Sequence, residues 1–164
     1  MTRRSRVKTV RESQVTMTEL VLPNDTNPIG NMLGGRLMQM IDIAAGIAAE
    51  RHTNRVCVTA SVDELNFLLP IRLGEIVTLE ASVNRAFNTS VEVGVRVTAE
   101  QPLTGEKRHA NTAYLTFVAI DDYGKPVRVL PVRPVTAIER KRYADAARRR
   151  ALRLVHRKRF HKKQ

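Results

Sequence analysis

Apolar and polar positions divide this chain into one long apolar segment and several alternating ones. From Gly34 to about Arg51 the sequence runs Gly-Gly-Arg-Leu-Met-Gln-Met-Ile-Asp-Ile-Ala-Ala-Gly-Ile-Ala-Ala-Glu-Arg. Helix formers and apolar residues lie nearly all round it, which predicts a helix buried on most of its sides. Ahead of it, Ser13–Leu22 alternates as a first strand, and residues 23–31 (Pro-Asn-Asp-Thr-Asn-Pro-Ile-Gly-Asn) are dense in turn formers. Behind it, four segments read as strands: Val56–Asn66, Ile76–Ala86, Ser90–Glu100 and Ala110–Asp121. Pro70 and Gly74, then Phe87-Asn88-Thr89, then Pro102-Leu103-Thr104-Gly105 punctuate them. One long apolar helix with about five mostly antiparallel strands predicts an α+β domain whose sheet wraps a central helix. After Pro131 and Pro134 the period changes. From Val135 to about Phe160 the chain is helical in propensity, with Ile138, Tyr143, Ala146, Ala147 and Leu154 set among Arg and Lys. The expected organisation is a basic arm at 1–12, a folded domain at 13–134 and a basic helical extension at 135–164.

Charge changes the picture less than its total suggests. The formal net charge is +12 over 164 residues. Residues 1–12 hold five basic side chains against one acidic, and residues 133–164 thirteen against two, leaving ten basic against thirteen acidic between them. The body is mildly acidic and the ends are basic. With aromatic residues at 4%, there is little for base stacking, so no specific nucleic-acid partner is expected; the ends attract polyanions only non-specifically. No apolar run approaches the roughly 18 residues that span a bilayer, and the N-terminus lacks an apolar signal core. A single cysteine, Cys57, forms no internal disulfide and suits a reducing compartment. The expectation is a cytoplasmic protein with no membrane insertion.

Chemistry enters with Asp42, the acid inside the apolar helix. A buried ionised carboxylate costs several kcal/mol unless paired or hydrogen-bonded, so this one needs a partner or a task. Gly34 and Gly35 at the helix start leave backbone N–H donors about two turns away. A carboxylate and an oxyanion-type donor set are the minimum equipment for hydrolysing an ester-like bond. Met38, Gln39, Ala45 and Gly46 neighbour Asp42 along the helix; the small ones leave space for a substrate, and would equally let another helix or strand approach. Asn24, Asn27 and Asn31 in the preceding loop either build turns and caps or hydrogen-bond water or a substrate carbonyl. His52, His109, His156, His161 and Cys57 show no metal-ligand spacing, so neither metal nor cofactor is expected, and His52 reads as a cation closing the helix C-terminus.

The ordered set Leu22-Pro23-Asn24-Asp25-Thr26-Asn27, Gly30-Asn31-Met32-Leu33-Gly34-Gly35, Met40-Ile41-Asp42, Val58-Thr59-Ala60-Ser61-Val62-Asp63, Phe67-Leu68-Leu69-Pro70-Ile71, Gly74-Glu75, Thr89-Ser90-Val91-Glu92-Val93 and Thr116-Phe117-Val118-Ala119-Ile120-Asp121, followed by Gly124-Lys125-Pro126, resembles the hot-dog-fold acyl-CoA thioesterases of the bacterial and brain-type acyl-CoA hydrolase family. It covers roughly residues 13–134, and Arg142-Tyr143 with Arg148-Arg149-Arg150 is similar to the basic C-terminal helix of some bacterial members. The resemblance implies a hot-dog fold, protomers pairing edge to edge, and dimers assembling into a hexamer. It implies hydrolysis of fatty acyl-CoA to free acid and CoA, with Asp42 as general base or nucleophile and Asn27 supplied by the other subunit. Asn31 is a third candidate, and the Gly34 and Gly35 amides form the oxyanion hole. CoA phosphates need cations. Members often carry a Gly-Arg-Thr-Ser type turn where this chain has Phe87-Asn88-Thr89-Ser90. Thr89 and Ser90 remain candidates for CoA binding, with Arg85, Arg55 or the tail arginines as compensating cations. The alternative is a non-catalytic acyl-CoA sensor whose basic ends touch nucleic acid; the retained Asp42 argues against it.

Overall fold

The computed structural model describes residues 7–161 except 64 and 68, and side chains as far as 157. In chain order it contains β1 (Lys8–Thr9), a 3-10 turn, β2 (Val15–Leu20), a second 3-10 turn at Pro23–Asp25, α1 (Gly34–Thr53), β3 (Val56–Val62), β4 (Ile76–Ala86), β5 (Ser90–Gln101), β6 (Glu106–Ile120), β7 (Val132–Arg133) and α2 (Ala137–His161). Half of the basic arm expected at 1–12, residues 1–6, lies outside the described residues. Strands β2 to β6 form one antiparallel sheet in the order β2-β4-β5-β6-β3. The hairpins β4–β5–β6 make its centre, while β2 and β3 are its edges.

Alternation dictates the two faces of this sheet. Val77, Leu79, Ala81 and Val83 of β4, Val91, Val93, Val95 and Val97 of β5, and Ala113, Leu115, Phe117 and Ala119 of β6 are all buried. Against them α1 lays Leu37, Met40, Ile41, Ala44, Ala45, Ala48 and Ala49. The α+β architecture and the long helix are therefore as expected. The helix's burial is not: Met38 and Ile43 remain 44% exposed, Ile47 38%, and Asp42 faces outward. One curled sheet covers one side of a helix, and within the protomer nothing covers the other.

The strand limits differ from the pattern where side chains do not report backbone pairing. β6 begins at Glu106, earlier than the apolar alternation suggests, because Glu106–His109 pair with Thr98–Gln101 across a tight turn whatever their polarity. β3 ends at Val62 instead of Asn66, and the next strand begins at Ile76. Arg108 ties down that stretch, donating to both Glu75 carboxylate oxygens at 2.6 Å and to the Pro70 carbonyl at 2.8 Å. These hydrogen bonds from Arg108 hold the buried Glu75 carboxyl below the usual range. The first strand starts at Val15 because Val10–Ser13 turns; buried Ser13 donates to the Val10 carbonyl and accepts the Val83 N–H. The pairing of β1 with β7, parallel at Lys8↔Val132 and Thr9↔Arg133, has no signal in the pattern.

Two ends differ from expectation. Asn54, in the left-handed region at φ 53°, closes α1 through its N–H to the Glu50 carbonyl. His52 does not act there as a cation: it is fully buried, its Nε2 is 2.8 Å from the Leu130 carbonyl, and burial pushes its pKa down. The basic extension forms a helix as predicted, yet it docks on the outer face of the sheet. Arg149 donates to both oxygens of the fully buried Glu92 at 2.6–3.2 Å and lies 3.6 Å above the Tyr114 ring. Arg153 bridges Glu92 and Asp63, and Ala146 is buried beneath the helix.

Candidate active site

Asp42 is held by a neighbouring strand. The Thr59 hydroxyl of β3 donates to Asp42 Oδ1 at 2.7 Å. Cys57 and Thr59 lie opposite the inward-facing Ala119 and Phe117 of β6 and so face the helix; a bulge between Thr59 and Ser61 then changes the parity, placing Val62 opposite Leu115. Regular alternation up to Thr59 aims its side chain at Asp42, and the bulge after it puts Ser61 opposite the outward-facing Thr116. The acid needs no apolar burial to be positioned, since the hydroxyl orients one oxygen and leaves the other open. Met38, Ile43 and Ile47 of α1 are exposed apolar residues, and Val56, Val58 and Val62 are exposed along the unpaired edge β3.

The loop before α1 is anchored separately. Arg36 donates to Asp25 at 2.9 Å and to Glu19 at 2.7 Å, tying the loop and β2 to the first turn of the helix. The Leu22 N–H, with Arg36 beside it, holds the Asp25 carboxyl below its usual range. Asn27 Oδ1 accepts the N–H groups of Ile29 at 3.2 Å and Asn31 at 3.0 Å, while its own N–H reaches the Asn31 carbonyl. Backbone N–H groups fix which end of the amide is oxygen, so the Asn27 NH2 is the end left to point outward and can only donate. Asn31 contributes its backbone to this turn and bridges to Arg72.

The helix start has no side-chain cap, because the N-cap residue is Leu33. The first-turn amides are thereby left to solvent or a ligand. Gly34 packs beneath the Phe67 ring, where a Cβ would come within 3.3 Å; a Cβ on Gly35 would meet nothing within 4 Å. Seven residues separate Gly35 from Asp42, about 10 Å along the axis. Within one protomer the structure therefore joins Asp42 to Thr59 and Asn27 to Asn31, but it does not bring the acid to the helix start, and no hydrogen bond joins Asn27 to Asp42.

The remaining candidates sit elsewhere. Thr89 and Ser90 form the β4–β5 turn, where the Thr89 and Ser90 carbonyls accept Ala119 and Phe87 N–H groups. Arg85 is engaged by α2, donating to the Tyr143 carbonyl at 3.2 Å with its guanidinium 4.0 Å from the Tyr143 ring. Burial raises the Cys57 thiol, which is no activated nucleophile. Among the described residues no group of three or more His, Cys, Asp or Glu is placed to hold a metal ion, and no helix is long and apolar enough to cross a membrane. Thr59 is the site residue that sequence reasoning missed. It lies in the segment Val58–Asp63 that carried the resemblance, but an isolated strand threonine has no chemical signature until its acceptor is known.

Known proteins fall into one group around this geometry. Residues 29–106 match the model of the thioesterase superfamily. The uncharacterised acyl-CoA thioester hydrolase YkhA of Bacillus subtilis is 46% identical over 129 residues, 79% of this chain and 75% of that one. Among solved structures, the acyl-CoA hydrolase of Bacillus cereus superposes with a TM-score of 0.91 at 38% identity, covering 94% of each chain. The acyl-CoA hydrolase of Staphylococcus aureus, solved with butyryl-CoA, CoA and CoA disulfide, gives 0.87 at 37% identity over 95% of this chain and 97% of that one. Variants of the staphylococcal enzyme replace an Asp, a Thr and an Asn by Ala, the last in complex with CoA. A hexameric acyl-CoA thioesterase solved without ligand gives 0.89 at 38% identity, covering 92% of this chain and 96% of that one. With identity at this level over most of both sequences and one architecture throughout, the chain belongs to the hot-dog-fold acyl-CoA thioester hydrolases and is a thioester hydrolase.

Proposed function

We propose that this enzyme hydrolyses fatty acyl-CoA to the free acid and CoA, at a site shared between two copies of the chain. The observation that supports it most is the 2.7 Å hydrogen bond from Thr59 to Asp42 on the uncovered side of α1. Thr59 orients the carboxylate; its free oxygen takes a proton from water, which attacks the thioester carbonyl and expels the CoA thiolate. Asn27 of the partner subunit donates its outward NH2 to the carbonyl oxygen, and the open first-turn amides at Gly34 and Gly35 add donors as negative charge develops there. Asn31 acts by holding Asn27. No cofactor takes part. The Asp, Thr and Asn replaced in the staphylococcal enzyme are the residue types of Asp42, Thr59 and Asn27.

The separation of about 10 Å between the acid and the helix start within one protomer supports a shared site. The exposed apolar residues of α1 and the open edge of β3 supply a surface for a second copy, and hexameric relatives support a dimer as the minimum unit with a hexamer above it.

Thiol release from acyl-CoAs of graded chain length tests the activity, with Asp42→Asn and Asn27→Ala each expected to lose most of kcat. Mixing the two inactive variants under subunit exchange restores about one quarter of parental activity, since half the dimers are mixed and each has one intact site. No recovery on mixing refutes the shared site, and full activity in Asp42→Asn refutes the base. Single turnover in labelled water places the label directly in the product acid if water attacks; label in Asp42 instead identifies an anhydride.

A further inference from the structure

Phe67 is a large apolar side chain left 49% exposed, and hydrolysis as described above leaves it without a task. Its ring is not loose on the surface. A Cβ on Gly34 would stand 3.3 Å from Phe67 Cζ, 3.4 Å from Cε2 and 3.8 Å from Cε1, so the outer edge of the ring fills the place of the side chain that Gly34 lacks. Cα–Cβ bonds of a helix tilt towards its N-terminus. The first-turn N–H groups point in the same direction, so the ring stands beside the uncapped amides of α1. Leu33, the N-cap residue, adds further exposed apolar surface at that end.

The backbone that carries the ring is pinned on both sides. Asn111 of β6 is buried, and its Nδ2 donates to the Asn66 carbonyl at 2.7 Å. A buried amide is costly unless hydrogen-bonded, and this one is bonded to the residue before Phe67. Beyond the ring, Arg108 donates to the Pro70 carbonyl at 2.8 Å, the Ile71 carbonyl accepts the Met32 N–H at 2.6 Å, and the Leu73 N–H reaches the Gly30 carbonyl at 2.9 Å. These bonds stitch the chain around Phe67 to the residues that lead into α1. The ring and the first turn therefore keep one relation to each other, and a wall already ordered loses little entropy when a ligand arrives.

A thioester carbonyl oxygen seated on a first-turn N–H lies about 2.9 Å from that nitrogen. Ordinary bond lengths put the carbon next to the carbonyl about 2.4 Å from the same oxygen, which brings it to the ring edge. An apolar ring suits the acyl side of the thioester better than the amide-bearing thiol arm. A methylene passes such an edge, whereas a second methyl group on the same carbon meets a ring that cannot withdraw.

We propose that Phe67 is a specificity-determining residue: its ring walls the carbon next to the thioester carbonyl, so that the enzyme prefers straight-chain acyl-CoAs to those branched at that carbon. The proposal rests on the acyl-CoA reading above and deepens it by naming the substrate class selected.

The experiment compares kcat/KM for butyryl-CoA and isobutyryl-CoA, two esters of equal carbon number, in the parent, Phe67→Leu, Phe67→Ala and Asn111→Ala. Leu103→Ala is the control, an exposed apolar residue in the turn between β5 and β6. The parent favours butyryl-CoA. That preference is expected to fall about tenfold in Phe67→Ala, to an intermediate value in Phe67→Leu, and in the same direction but less in Asn111→Ala. A merely structural role lowers both esters alike and leaves their ratio in place. An unchanged ratio in Phe67→Ala, an equal shift in Leu103→Ala, or a parent that does not distinguish the two esters overturns the proposal. If the parent cleaves neither ester, the hydrolase reading fails, and calorimetric titration with the same two esters still judges the wall: tighter binding of butyryl-CoA that is lost in Phe67→Ala supports it, and a difference independent of Phe67, or none, overturns it.

Discussion

Glu92 is the strongest test of how α2 is held. Its carboxylate is fully buried and accepts from Arg149, Arg153 and Asn84. Glu92→Gln preserves volume and the Asn84 contact but removes the charge that balances Arg149, whose side chain is only 21% exposed. Removing one partner of a buried pair costs about 3–5 kcal/mol. Arg149 keeps some solvent and Arg153 keeps Asp63, so the lower end, about 3 kcal/mol, is expected. That energy is spent first on the docking of α2, which makes trypsin the sensitive assay. Cleavage after Arg148, Arg149 and Arg150 requires the helix to open, and a 3 kcal/mol loss raises the open population about a hundredfold when opening is fast. Urea unfolding at fixed protein concentration gives the global counterpart. The double variant Glu92→Met/Arg149→Met is expected to be more stable than Glu92→Met alone, because it leaves no unmatched charge on that pair. A trypsin rate within a few-fold of the parent, together with additive single and double variants, would refute the claim that Glu92 clamps the helix.

Other expectations are more local. Burial depresses the His52 pKa, so the unfolded chain takes up the proton first; stability falls as pH drops below about 6.5 and levels off beneath the folded value. Melting temperature between pH 7 and 5 should therefore slope less in His52→Gln, and an identical slope rejects the assignment. Gly94→Ala puts a Cβ 2.8 Å from Asn84 Nδ2, whose position Glu92 fixes, and should lower stability by about 1–3 kcal/mol in thermal unfolding. Gly35→Ala meets open space and should leave the melting temperature equal or higher while lowering kcat/KM, because its methyl group stands beside the uncapped first turn; unaltered kinetics would remove Gly35 from the site. Thr59→Val should reduce kcat by about ten- to a hundredfold with little effect on KM, as for loss of an orienting hydrogen bond; an equal rise in KM alone would count against orientation.

What the chain reveals without coordinates follows the hydrophobic period. Helix α1 and strands β4 and β5 lie within two residues of where alternation and apolar composition put them, because their side chains pack against one another. The start of β6 was hidden since Glu106–His109 pair through backbone alone, and β1 with β7 was hidden since two residues have no period. Asp42 was legible as an anomaly, but the inference that it is buried mistook a helix left open on one side for one enclosed. Asn27 reads equally as a turn builder and a functional amide, and the coordinates show that one side chain does the first with its oxygen while its nitrogen remains available. Thr59 was invisible because its meaning depends on an acceptor on another element, Asp42, and Arg149 and Arg153 because their acids, Glu92 and Asp63, lie far away in sequence.

The short parallel pair of β1 and β7 sets an order of events during folding. Lys8 and Val132 lie 124 positions apart, and only two residues on each side pair. Closing a flexible loop of that length costs about 4 kcal/mol beyond the constant for contact itself, far more than so short a pair returns. The contact can form only once the hairpins β4–β5–β6 and the seating of α1 have drawn both segments together. It is a late clasp, so shortening the chain up to Thr9 should speed unfolding while leaving the refolding rate nearly unchanged.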